Sequence, residues 1–109
     1  MRITLLTIIS TLLLSSCQKD ENNEVIYTVN CGSCDLTYSN ATEDTEQRTV
    51  SGGWSYKFDA KRDQFLYISA QNNASSGSVS VSINARGKTI DSASSSGAYV
   101  IATASGSMP

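Results

Sequence analysis

From Val25 onward, apolar and polar residues alternate. Val25, Tyr27 and Val29 are interleaved with Ile26, Thr28 and Asn30, and Leu36 and Tyr38 stand between Asp35, Thr37 and Ser39. The period is two rather than 3.6, as expected of strands with one buried face. The rhythm returns at Trp54, Tyr56 and Phe58, separated by Ser55 and Lys57. It is cleanest where Val79, Val81, Ile83 and Ala85 alternate with Ser78, Ser80, Ser82 and Asn84. Glu46–Val50 reads as a weaker strand. Phe65–Gln71 is a nearly continuous run of β-favouring residues suited to a central strand. Thr89–Ala93 suits an edge, and Ala98–Ser105 closes the set.

Turn chemistry separates these runs. Asn40–Asp44 is a polar loop, Ser51-Gly52-Gly53 a break, Asp59–Asp63 a charged turn, and Asn72–Gly77 and Ser94–Gly97 further turns. Ala85-Arg86-Gly87-Lys88 is a hairpin connection in which Gly87 supplies positive φ. The pattern predicts an all-β domain of seven or eight short antiparallel strands, a sandwich or small barrel, with no helix beyond the N-terminal segment. Its inner faces would draw on Tyr27, Leu36, Trp54, Phe65, Tyr67, Val79, Val81, Ile83, Tyr99 and Ile101.

Residues 1–21 follow a different logic. Arg2 precedes an apolar stretch, Ile3–Leu14, which runs into Leu14-Ser15-Ser16-Cys17. A charged start, a short apolar core and small residues before a cut mark a secretory signal. The stretch is too short to span a bilayer, which takes about 20 residues. The cysteine at the cut resembles a bacterial lipoprotein signal: residues 1–16 would be removed and Cys17 acylated as the new first residue. Residues 17–24 would then be a tether and 25–109 the domain. Gln18-Lys19-Asp20-Glu21 resembles the lipoprotein export signal of Bacteroidota, which implies through Lys19, Asp20 and Glu21 an outer-membrane protein displayed at the cell surface. The periplasmic leaflet is the alternative.

Composition narrows the function. Removing residues 1–16 leaves 93 residues, enough for one domain. That part carries seven Lys/Arg and ten Asp/Glu, a net charge of 7 − 10 = −3, scattered without a basic stripe. Nucleic-acid binding needs clustered cations, so it is not expected. The chain has no histidine, which removes histidine triads, histidine metal sites and histidine pH switching. No cofactor or metal is expected, and the chain reads as non-enzymatic.

Cys31-Gly32-Ser33-Cys34 is the one chemical motif. In an oxidising compartment the preferred reading is a disulfide stapling a turn between strands. Free thiols, or a redox or metal role, are the alternatives, though no helix N-terminus is predicted there to lower a thiol pKa. Trp54 and Tyr56 are the candidate binding residues, as a sugar-stacking platform, but the same alternation serves a core strand and core packing is preferred. Asp35, Glu43, Asp44, Glu46, Asp59 and Asp63 lack EF-hand spacing and read as loop carboxylates. Asp91-Ser92-Ala93 resembles the O-glycosylation motif of Bacteroidota.

Taken in order, several segments resemble the MmpS family of small membrane proteins, accessory to lipid and siderophore exporters. They are Tyr27-Thr28-Val29, Leu36-Thr37-Tyr38, Trp54-Ser55-Tyr56, residues 66–71, residues 77–83, Gly87-Lys88 and Ser96-Gly97-Ala98-Tyr99. The resemblance spans about residues 25–106 and implies an immunoglobulin-like β-sandwich and an accessory role beside a transporter. It departs in two places. The family is held by a transmembrane helix, and its disulfide joins positions matching Val81 and Ala104. The expectation is a lipid-anchored envelope protein that binds an envelope protein partner. A carbohydrate- or host-binding module is the alternative.

Overall fold

The structure, a computed structural model, describes residues 22–109. The expectations for Cys17 and for Lys19, Asp20 and Glu21 lie outside the described residues. The described residues form six antiparallel strands: β1 (Glu24–Ser39), β2 (Thr45–Asp59), β3 (Phe65–Asn72), β4 (Ser78–Ala85), β5 (Lys88–Ser96) and β6 (Ile101–Ser107). Sheet order is β5-β4-β1-β3-β6, with β2 along the other side of β1.

The count is six rather than seven or eight because two expected breaks are continuous strand. Cys31-Gly32-Ser33 interrupts pairing only as a bulge: Cys31 faces Gly52, Ser33 faces Ser51, and the register shifts between them. The Gly52-Gly53 break lies opposite that bulge and continues β2. A bulge bends its strand and adds twist. Here β1 changes partner across it, pairing with β4 through Cys31 and with β3 from Cys34.

The bend folds the sheet in half. Residues 12 apart on a straight strand would stand about 40 Å apart, yet the Tyr27 and Ser39 hydroxyls are 2.9 Å apart. β3 and β4 run end to end along β1, and β5 and β6 run end to end along them. Each pair is creased at a connection, Asn73–Gly77 and Gly97–Val100, level with the bulge. The sheet is therefore nearly closed. Along the last seam β5 and β6 are joined by Ser105 N–H donating to Asp91 Oδ2 (2.9 Å) and Ser95 Oγ donating to Ile101 O (2.8 Å).

Folding in half creates two poles. The terminal pole gathers Asn22, Pro109, the 40–44 and 60–64 loops and the Arg86-Gly87 hairpin. Arg86 donates from Nε to Pro109 O (3.1 Å) and from a terminal nitrogen to Asn22 O (3.0 Å), Ala60 N donates to Asn23 O (3.0 Å), and Asp63 N to Met108 O (2.9 Å). The hairpin turn has φ of 53° at Arg86 and 80° at Gly87, as a two-residue I′ turn requires. The crease pole holds the four bends.

The core fills the space between the halves. Val25, Tyr27, Val29, Leu36 and Tyr38 of β1 meet Leu66, Ile68 and Ala70 of β3, Val79, Val81 and Ile83 of β4, and Ala102 and Ala104 of β6. Each large side chain buried this way contributes about 1.5–3 kcal/mol. Four expected inner residues point outward instead. On β3, Phe65 is 57% exposed and Tyr67 half-buried, because Leu66, Ile68 and Ala70 take the inner phase. On β6, Tyr99 precedes the strand and Ile101 faces out, 54% exposed. The inner positions of β6 are Ala102 and Ala104, both buried, which stand opposite Ala70 and Ile68 of β3.

Candidate functional site

The crease pole brings together Cys31–Cys34, Ser51–Gly53, Asn72–Gly77 and Gly97–Val100. These segments contain no ionisable carboxylate, amine or guanidinium; they are serine, glycine, asparagine and alanine around a disulfide, a valine and one tyrosine. That is the composition of loops that recognise surfaces through adaptable hydrogen bonds and a rigid aromatic.

Backbone bonds tie the segments together. Asn73 N donates to Ser33 O (3.0 Å), Tyr99 N to Ala74 O (3.1 Å), Gly97 N to Gly77 O (2.8 Å) and Asn72 N to Val100 O (2.8 Å). At their centre lies the Asn72 side chain, 2% exposed. Its amide nitrogen donates to Ser76 O (3.0 Å) and Gly97 O (2.9 Å), and its oxygen accepts from Ala74 N (3.1 Å). One buried amide thus satisfies backbone groups of both outer loops. The sharp path needs positive φ at Gly77 (104°) and Gly97 (124°), where a side chain would be strained.

The Cys31 and Cys34 sulfurs are 2.05 Å apart, disulfide distance, and bracket the bulge and the partner switch. Cys34 is fully buried and Cys31 partly so. Tyr99 is the exposed element, 56% accessible, with a backbone in the left-handed region at φ 55°. A non-glycine residue held there carries strain of about 1 kcal/mol or more. The backbone bonds just described hold it, together with Gln71 Nε2 donating to Tyr99 O (3.1 Å).

Below this pole, on the outer face of the β2-β1-β3-β6 half, lies an open concavity of about 570 Å³. Asp35, Thr37, Arg48, Ser69, Gln71 and Ile101 are among its lining residues. Asp35 accepts from Asn73 Nδ2 (3.1 Å) and Thr49 Oγ1 (2.8 Å), and these two bonds hold its carboxyl below the usual carboxylate range. The concavity and pole together offer hydroxyls, amides, one anion, one cation and exposed Tyr99 and Ile101. Such an arrangement can recognise a surface.

Trp54 and Tyr56 sit elsewhere, on β2, half-buried against the core. Their rings are near-parallel (10°) with centroids 6.1 Å apart, and Trp54 lies 5.0 Å from the Tyr38 ring. The carboxylates are dispersed. Glu46 accepts from Tyr38 Oη (3.1 Å) and Asn40 Nδ2 (2.6 Å), Asp44 accepts from Thr42 Oγ1 (2.9 Å), and Glu43 lies 3.9 Å from Lys61 Nζ. Asp59 and Asp63 lie at the terminal pole. Among the described residues no three His, Cys, Asp or Glu side chains gather to hold a metal. Asp91 is bonded to β6, and Ser92 beside it is exposed on β5.

Asn72 and Tyr99, the residues that organise and crown this pole, were not among the sequence candidates. Asn72 read as the first residue of a turn, and Tyr99 as an inner position of a strand. Compared with known proteins, the chain matches no protein-family model and no curated sequence.

Proposed function

We propose that this chain is a lipid-anchored, non-enzymatic binding protein of the cell envelope, outer-membrane and surface-exposed, that meets an envelope protein through its crease pole. The observation carrying the reading is the pairing of a fixed, uncharged Ser/Gly/Asn tip with an exposed, strained Tyr99 at the pole opposite Asn22, where the proposed tether enters. A pre-organised tip loses little conformational entropy on binding. Each long half-sheet strand of eight residues spans about 26 Å, so the tip would project that far from the tether.

The immunoglobulin-like sandwich and transporter-accessory role suggested by the MmpS resemblance belong to this proposal. Two half-sheets packed face to face support the first; the second rests on the resemblance alone. The test is crosslinking of the intact lipoprotein in living cells. One stoichiometric envelope protein supports the reading, and a membrane transporter supports its extension.

A glycan-binding module is the second reading, favoured by the near-parallel Trp54 and Tyr56 rings. It requires water at Trp54. Iodide that quenches Trp54 emission, together with quenching relieved by an oligosaccharide, would favour it; iodide-resistant emission would remove it.

A further inference from the structure

The terminal pole has an unexplained feature. Phe65, the most exposed large apolar residue of those described, opens β3 there, next to the 60–64 loop and opposite Ser107. Its ring stacks on Tyr67, the next outward residue (centroids 6.1 Å, 23° between planes). Neither ring is needed by the core, which Leu66 and Ile68 fill from the same strand. Five of the six described cations lie at the same pole: Lys57, Lys61, Arg62, Arg86 and Lys88. Glu24, Glu43, Asp44, Asp59 and Asp63 are interleaved with them, so the pole is charged but not strongly of one sign.

The chain outside the described residues says what this pole faces. Five peptide steps separate Cys17 from Asn22, and at 3.3–3.6 Å each they reach at most about 18 Å. Asn22 is fixed in this pole by Arg86. An acyl chain on Cys17 would thus keep Asn22 within about 18 Å of the bilayer interface. We infer that the terminal pole seats on the phospholipid surface, with Phe65 entering the interface and Tyr67 at headgroup level. This inference rests on the lipid-anchored reading. Aromatic rings flanked by Lys and Arg suit that boundary. The mixed charge makes the seating apolar rather than electrostatic, and the seated pole turns the crease pole outward.

The test uses the intact acylated protein in phosphatidylethanolamine–phosphatidylglycerol vesicles with acyl chains brominated near the headgroup. Single-tryptophan reporters are made in a Trp54→Phe background: Phe65→Trp, Tyr67→Trp and Ile101→Trp. Circular dichroism confirms each fold. Bromolipid is expected to quench the Phe65→Trp emission several-fold more than the Ile101→Trp emission, with Tyr67→Trp between them and with no relief in high salt. Equal quenching at all three positions, no quenching at any, or release by salt overturns the inference. The mass of the mature protein separates the two failures. An unacylated Cys17 sinks the anchored reading, whereas an acylated chain with unquenched reporters sinks the seating alone.

Discussion

Removing the Asn72 side chain should unlock the crease pole. Asn72→Ala deletes three hydrogen bonds, to Ser76 O, Gly97 O and Ala74 N, from a side chain only 2% exposed. Each is worth about 1 kcal/mol net. Some of the freed backbone groups regain water at the pole, so the expected loss is about 2–3 kcal/mol, or about 10–20 °C in Tm for a domain of this size. Urea or thermal unfolding followed by circular dichroism, with the disulfide kept oxidised, reads it. Asn72→Asp adds a control with a sign. Its carboxylate keeps the acceptor for Ala74 N but turns negative charge on two carbonyl oxygens. Its folded-state pKa is thereby raised above the unfolded value, so the charge penalty is present at neutral pH and fades as pH falls through the folded value. An Asn72→Ala variant within about 0.5 kcal/mol of the parent, the scale of an ordinary surface change, would refute the role given to this side chain.

Reducing Cys31–Cys34 should lower stability by about 2 kcal/mol, the chain-entropy value for so short a loop, without unfolding the domain; denaturant midpoints with and without reductant measure it. Tyr99→Gly relieves a left-handed backbone at φ 55°, so it should leave stability unchanged or raise it by up to about 1 kcal/mol while abolishing partner crosslinking. A large destabilisation would show that the ring packs rather than binds. Ile68→Ala opens a cavity beside Tyr38 and should cost about 2–5 kcal/mol in the same unfolding assay. Burial raises the Tyr27 hydroxyl above its usual pKa of 10.0, against the lowering effect of its bonds with Ser39 and Tyr67 N. Its contribution should therefore be intact below about pH 10 and lost as pH climbs toward the folded value, and Tyr27→Phe should flatten that alkaline decline.

Strand identity was legible because a half-buried strand writes its period into the sequence. Val79, Val81 and Ile83 are buried as their alternation implies, and Gly87 has the positive φ expected of its turn, while the positive φ at Arg86 was not legible from an arginine. What alternation cannot report is phase when both phases are apolar. At Phe65–Gln71, Leu66 and Ile68 compete with Phe65 and Tyr67, and pairing with β1 decides which set goes in. On β6, Ala102 and Ala104 stand opposite Ala70 and Ile68, which point inward, so the alanine phase is buried and Ile101 faces out. The creases were partly visible. Glycine and serine clusters marked them, but they read as ends of separate strands, because a bulge and a break look alike until the partner strand is known. The binding tip was not legible, since Asn72 gains its role only when turns far apart in sequence meet.

The central claim is that this domain meets its partner through the crease pole. A photo-crosslinking residue placed at Tyr99 or Ser75 in the full-length lipoprotein, in living cells of the native host, tests it most directly, with Lys88 at the terminal pole as the comparison. The account requires one discrete protein adduct from the first two positions and none from Lys88. Adducts from Lys88 alone, or none at Tyr99 and Ser75 while the protein is correctly anchored, would contradict it.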